Sequence, residues 1–170
     1  MSAMSSLKKG DPLPHGDHML RYVGARLYDQ KTKKLHGDAF LPRETEKEPS
    51  VNWLEHYAPP LDNQIRNVVK CRRLTYGKTA KLVRLNIGRT IETVTRETEA
   101  RIQLSVIYDN LEAVPSLGFG EDPSHGLIRG FPERGVLNDV SASDLTTIGF
   151  KIRDLCVDKG AIFDAVDYVS

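Results

Sequence analysis

The sequence predicts an α+β fold: a single compact domain in which a mixed or antiparallel sheet of four to six strands packs with about three helices. Three observations carry this reading. Apolar residues alternate over 80–87 and 100–108, the two-residue period of a half-buried strand. Leu145, Ile148, Ile152 and Leu155 recur instead at the spacing of a helix with one buried face. The two patterns are mixed along the chain rather than strictly alternating, which argues against a parallel α/β sheet. The 170 residues fit one domain. Residues 1–17, with Ser, Lys, Gly and Pro, read as a loose N-terminal tail, and 18–170 as the domain.

Taken in order, Met19 to Val23 reads as a first strand, and 35–41 as a second extended piece after the Lys31–Lys34 turn. Ser50 can cap a short helix in which Trp53, Leu54 and Tyr57 share a face, and the Pro59-Pro60 pair must end it. Trp53 is expected to be a core anchor. A second helix runs from Asp62 to about residue 73, burying Ile65, Val68 and Val69. The strand over 80–87 sets Val83, Leu85 and Ile87 on one side and Arg84 and Asn86 on the other. The Thr-rich stretch 89–98 suits helix or strand, and 100–108 alternates as a strand. A last helix spans 143–159, with Ser143 or Asp144 as cap and Gly160 as its stop, and 161–169 is a strand or a tail.

Composition excludes several classes. The chain is 39 % hydrophobic and 28 % charged, far from disordered or collagen-like sequences. Cys71 and Cys156 are too few for a disulfide scaffold and lack CxxC spacing, so reduced thiols and a cytoplasmic location are expected. No stretch approaches the apolar length of a membrane span, and no secretory leader is visible. The net charge of +1 hides an asymmetry. Between Arg66 and Arg89 there are eight cations and no acid, whereas 92–122 carries seven acids against Arg96 and Arg101. Either the two segments neutralise one another, which is the expectation favoured here, or Arg66, Lys70, Arg73, Lys78 and Lys81 form an exposed anion-binding surface.

Motifs for chemistry are sparse. Gly77-Lys78-Thr79 is not a phosphate-binding loop, because the position five residues before Gly77 holds Arg72 and the preceding segment reads as helix. The repeated His15-Gly16-Asp17 and His36-Gly37-Asp38, and the pair His15 and His18, lack the fixed helical face of a metal motif, so no metal site is assigned. No cofactor motif is evident. The glycine-rich loop 118–130 presents Ser124 and His125 beside Glu121 and Asp122, just ahead of a short apolar strand. His125 is the candidate acid–base group, and Ser124 a candidate ligand contact. The alternative makes Asp122 and Ser124 turn caps and His125 a structural hydrogen-bonder.

The segments Ser50-Val51-Asn52-Trp53-Leu54-Glu55 and Pro123-Ser124-His125, with the strand 19–23 and Ala39-Phe40, resemble those of a loose group of small bacterial proteins of no assigned function. The resemblance implies one compact domain and a bacterial source, and brings no activity, ligand or catalytic residue. The leading expectation is a non-enzymatic binding or accessory protein, with an unknown protein partner. One alternative is a small enzyme acting on a phosphate-bearing substrate through His125. Another is a nucleic-acid-binding module using the basic 66–89 segment, although no helix-turn-helix, zinc-finger or RNP-type motif accompanies it.

Overall fold

The structure, a computed structural model, describes residues 6–71, 73, 75–133, 139–156 and 160–169. It is an α+β domain with six strands in one antiparallel sheet: β1 (His18–Val23), β4 (Ser50–Trp53), β5 (Lys81–Asn86), β6 (Ser105–Tyr108), β7 (His125–Arg129) and β8 (Ile162–Asp164). Their order across the sheet is β6-β7-β4-β1-β5-β8. A separate two-stranded ribbon pairs β2 (Tyr28–Asp29) with β3 (Lys34–Leu35).

Both faces of the sheet are covered, and alternation along β1 shows how. Met19 and Val23 join one core with Val51, Val83 and Leu85. That core is closed by Val94 of α2 (Ile87–Glu97) and by Leu145, Ile148 and Ile152 of α3 (Asp139–Leu155). Leu20 points the other way, to a second core with Leu82 and Leu54 under Ile65, Val68 and Val69 of α1 (Leu61–Cys71). The apolar strand residues are thus shared between two layers, which is why the short strands of this sheet are rich in Val, Leu and Ile.

Several expectations change in physical detail. The Ser50–Trp53 segment is a strand, because it finds ladder partners on both sides, and only Leu54–His56 keeps a helical, 3-10 turn. Trp53 is half-buried rather than a core anchor; its indole meets Tyr108 edge-on and its Nε1 donates to Asp17 Oδ2 at 2.8 Å. Ile87 leaves the strand and opens α2, since the Asn86 side chain caps the helix by accepting from the Arg89 amide at 2.8 Å. The 100–108 strand shrinks to β6, because Glu99 and Ala100 take positive φ and turn the chain. Asp144 does not cap α3 but lies inside it, held by a two-pronged pair with Arg101, both contacts 2.8 Å. The stretch read as a tail is described from residue 6, and there Leu13 is buried and donates to Val106 O. Arg72 of the basic run, and 157–159 of the last helix, lie outside the described residues.

The 35–41 piece is mostly a 3-10 turn, Gly37–Phe40, because α3 crosses it with the two backbones in contact. A methyl on Gly149 would meet the Gly37 carbonyl oxygen at 2.8 Å, a backbone atom rather than the end of a flexible side chain, so one of the two segments must shift. Gly149→Ala should therefore lose about 1–3 kcal/mol to overpacking, more than the roughly 1 kcal/mol that alanine gains in a helix. Urea denaturation checks this, and a variant as stable as the parent would refute the contact.

Arg21 lies on β1 facing the larger core and is almost wholly buried. Its guanidinium donates to Ala39 O, to Ser50 O at 2.8 Å and to both carboxylate oxygens of Glu46. Burial alone would raise the Glu46 carboxyl, but the Arg21 charge and hydrogen bonds outweigh it and hold the group below the ordinary glutamate value. As pH falls from the unfolded glutamate pKa of about 4.3 towards that lower value, the unfolded chain takes up a proton that the folded chain does not. Stability present above that range is lost there. Glu46→Gln should lower stability near neutrality and flatten the acid slope, measured by urea titrations on either side of that pKa.

Candidate functional site

The basic residues read from the sequence do not converge. Arg66 and Lys70 are exposed on α1, where Arg66 bonds Asp62 one turn away at 2.9 Å and covers the Tyr168 ring. Lys78 is exposed in the turn before β5. Lys81 faces the opposite side of the sheet, paired with Asp164 and lying over the Tyr28 ring. Arg73 reaches the carbonyls of Glu112 and Gly120 and stacks over Phe119. The described carboxylate partners of Arg66 and Lys81 are thus Asp62 and Asp164. Glu97 pairs with Arg96 and Lys151, and Glu99 with Arg101.

Ser124 and His125 stand in a polar cluster at one end of the sheet. The pairing of β4 with β7 sets Asn52 opposite His125. Asn52 Nδ2 then donates to both carboxylate oxygens of Asp122, each at 3.0 Å, and to Ser124 Oγ at 2.9 Å. Asn52, Asp122 and Ser124 are all buried, and among the described residues no Lys or Arg pairs with Asp122. The charge of Asp122 is felt around it. Tyr57 is raised above the ordinary phenol range by burial, by its contact with the Cys71 thiol and by Asp122. Tyr108 is raised by burial and then by Asp122. Burial pushes His56 below the ordinary imidazole range against the pull of Asp122. His125 is buried, with Nδ1 2.8 Å from Asp109 O and 3.3 Å from Asp109 Oδ2. The two short motifs of the resemblance, around Asn52 and around Ser124, are therefore one spatial unit.

A second constellation lies at the same end of the sheet, across β1, and the sequence reading missed it. His18 and Asn86 face each other in the β1–β5 register, and Arg84 precedes Asn86 on the same face. With Arg89 they line a pocket of about 170 Å³ against Leu85 and Leu155. Glu55, in the 3-10 turn after β4, binds His18 twice: Oε2 accepts from the backbone amide at 2.8 Å and Oε1 lies 2.7 Å from Nδ1. Among the described residues Arg84 has no acidic partner, and its Nε is buried with no acceptor. Nothing local links His18 to Glu55, because the contact spans 37 positions. The only sequence signal was Arg84 and Asn86 sharing the polar side of a strand.

No family model, curated protein or solved structure matches this chain. Among the described residues no group of His, Cys, Asp and Glu is arranged to hold a metal ion, and no helix is long and apolar enough to cross a membrane.

Removing the amide at the centre of the buried cluster strands a carboxylate and a hydroxyl. Asn52→Ala should cost at least about 1–3 kcal/mol, the penalty of leaving buried groups unsatisfied. Asn52→Ala combined with Asp122→Ala should cost less than the sum of the two single changes. Strict additivity in urea denaturation would show that the cluster does not act as a unit.

Proposed function

We propose that the protein is a binding protein whose ligand is a small molecule bearing a phosphate or a similar compact oxyanion, held at the His18–Arg84–Asn86–Arg89 pocket. The observation that carries this reading is Arg84. A guanidinium offers five donors in a fixed fork suited to a phosphate or carboxylate, and burying its Nε without an acceptor is costly. Arg84, Arg89, Asn86 and His18 supply the polar side chains of the pocket lining, and no acid lines it among the described residues. An oxyanion in the pocket can accept from the part of the Arg84 guanidinium that lines it, where no acid among the described residues competes. The unpaired thiols of Cys71 and Cys156 suit a reducing cytoplasm.

An accessory role through a protein partner draws on a different feature. The loop between β6 and β7 carries Leu117 at 67 % exposure beside Phe119 at 37 %, an apolar tip held from behind by Arg73. Catalysis by His125 has less support, since its Nδ1 is committed to Asp109 in a buried setting. Nucleic-acid binding by the 66–89 segment would draw on Arg66, Lys70 and Lys78, whereas Lys81 faces the other side of the sheet.

Isothermal titration with inorganic phosphate and with phosphate monoesters tests the anion reading. The parent protein should bind, and Arg84→Gln should weaken binding at least tenfold, the loss of a charge-assisted contact of about 1.5–3 kcal/mol. Lys70→Gln and Lys78→Gln should leave it unchanged. Absence of binding by the parent, or equal losses in all three variants, would overturn it.

A further inference from the structure

We infer that this pocket is also a reaction site, in which His18, oriented by Glu55, is the acid–base residue for hydrolysis of a phosphate monoester. The inference rests on the anion-binding reading above and adds chemistry to it.

Three roles must coincide in such a site: a clamp for the phosphoryl oxygens, a base near the point of attack, and a group that orients the base. Arg84 supplies the clamp, as a guanidinium with no acidic partner among the described residues. His18 lines the same pocket and keeps about a quarter of its side chain exposed, 26 %. Glu55 supplies the orientation: one carboxylate oxygen fixes the His18 backbone amide and the other takes Nδ1. A neutral imidazole held in this way carries its proton on Nδ1, so Nε2 presents a free lone pair. Among the described residues Nε2 has no partner. The neighbouring residue is held as well, since the Trp53 indole donates to Asp17 Oδ2 at 2.8 Å. The base therefore sits on a strand end tied down by two side chains from the β4 end. At about 170 Å³ the pocket accommodates a phosphoryl group and an attacking water, with the alcohol portion of the ester left outside.

The step balances with water as the only co-reactant. Nε2 of His18 takes a proton from water as the water oxygen bonds to phosphorus, and the P–O bond to the alcohol breaks with its electron pair leaving on the ester oxygen. The imidazolium then returns the proton to that oxygen, giving the free alcohol and inorganic phosphate. Nothing is oxidised or reduced. His125, at the same end of the sheet, is unsuited to this role because its ring is buried against Asp109.

The test uses the full chain with p-nitrophenyl phosphate, followed by release of p-nitrophenolate, and inorganic phosphate binding measured in parallel by calorimetry. The parent should turn over the ester. His18→Gln should lower kcat by two to four orders of magnitude, the usual worth of a general acid–base group, while phosphate affinity stays within about threefold, roughly 0.65 kcal/mol. Glu55→Gln, a change in a positioning residue, should lower kcat with KM unchanged and shift the pH–rate profile, which a purely structural role would leave in place. Phosphate binding by the parent without turnover, or turnover by His18→Gln at the parental rate, would overturn the catalytic inference and leave the binding reading standing. Failure of the parent to bind phosphate would overturn both. Where His18→Gln does not fold, Glu55→Gln with the parental kcat and pH–rate profile would overturn the inference.

Discussion

Arg21 is the charge around which the fold closes. A guanidinium in the middle of a sheet, facing the larger apolar core, is tolerable only if its donors are met, and here Ala39 O, Ser50 O and Glu46 meet them. Removing one partner from such a pair leaves an uncompensated buried charge, usually worth about 3–5 kcal/mol. The geometric consequence exceeds the energetic one. The acceptors come from the turn 37–40, from the charged loop before β4 and from the first residue of β4, so satisfying Arg21 draws the whole 39–50 segment against the sheet. Once Ser50 is fixed, β4 must enter between β1 and β7. Its next turn then delivers Glu55 to His18. An interaction with no chemical role thus sets the placement of the residues that could have one.

The antiparallel sheet converts that placement into two separate polar clusters. In the register across four strands, His125 of β7, Asn52 of β4, Leu20 of β1 and Arg84 of β5 form one transverse row. Leu20 is buried in the smaller core and divides the row. On one side of it Asn52 reaches Asp122 and Ser124, a network whose members satisfy each other. On the other, Arg84 has an open pocket and no acidic partner among the described residues. Low dielectric acts on both but with different results: a closed network gains rigidity, whereas an unmatched donor retains affinity for an external acceptor.

What the sequence could show follows from the range of the forces involved. The α3 face and the α1 stripe were legible, because a 3.6-residue apolar period is a local consequence of burying one helix face. The six antiparallel strands fell within the expected architecture, yet Ser50–Trp53 was read as helix. Its Ser cap and aromatic spacing are local signals, and the ladders to β1 and β7 that override them come from residues 19–20 and 125–127. The Thr-rich α2 resolved for a related reason: Asn86 caps it, and Gly16 and Asp17, far away in sequence, accept from the Asn86 amide. The loop holding Ser124 and His125 was visible through its glycines and titratable groups. Its tie to Asn52 was not, and neither was Glu55 against His18, since both contacts exist only after the strands are ordered.

The two histidines at this end of the sheet show why residue type alone is a poor guide to chemistry. Both are strand-end imidazoles with an acidic residue beside Nδ1. His125 gives Nδ1 to a backbone carbonyl as well, lies buried, and follows a turn whose other side chains are already satisfied by Asn52. Its imidazole closes a loop onto a strand. His18 receives both oxygens of one carboxylate, keeps part of its ring exposed, and shares its pocket with a guanidinium that no protein acid neutralises among the described residues. A sequence reading ranks His125 higher because its neighbours are glycines and acids, which is local information. The feature that separates the two is whether the second ring nitrogen faces a space where an anion is needed, and that depends on Arg84, brought to His18 by the antiparallel register of β1 and β5.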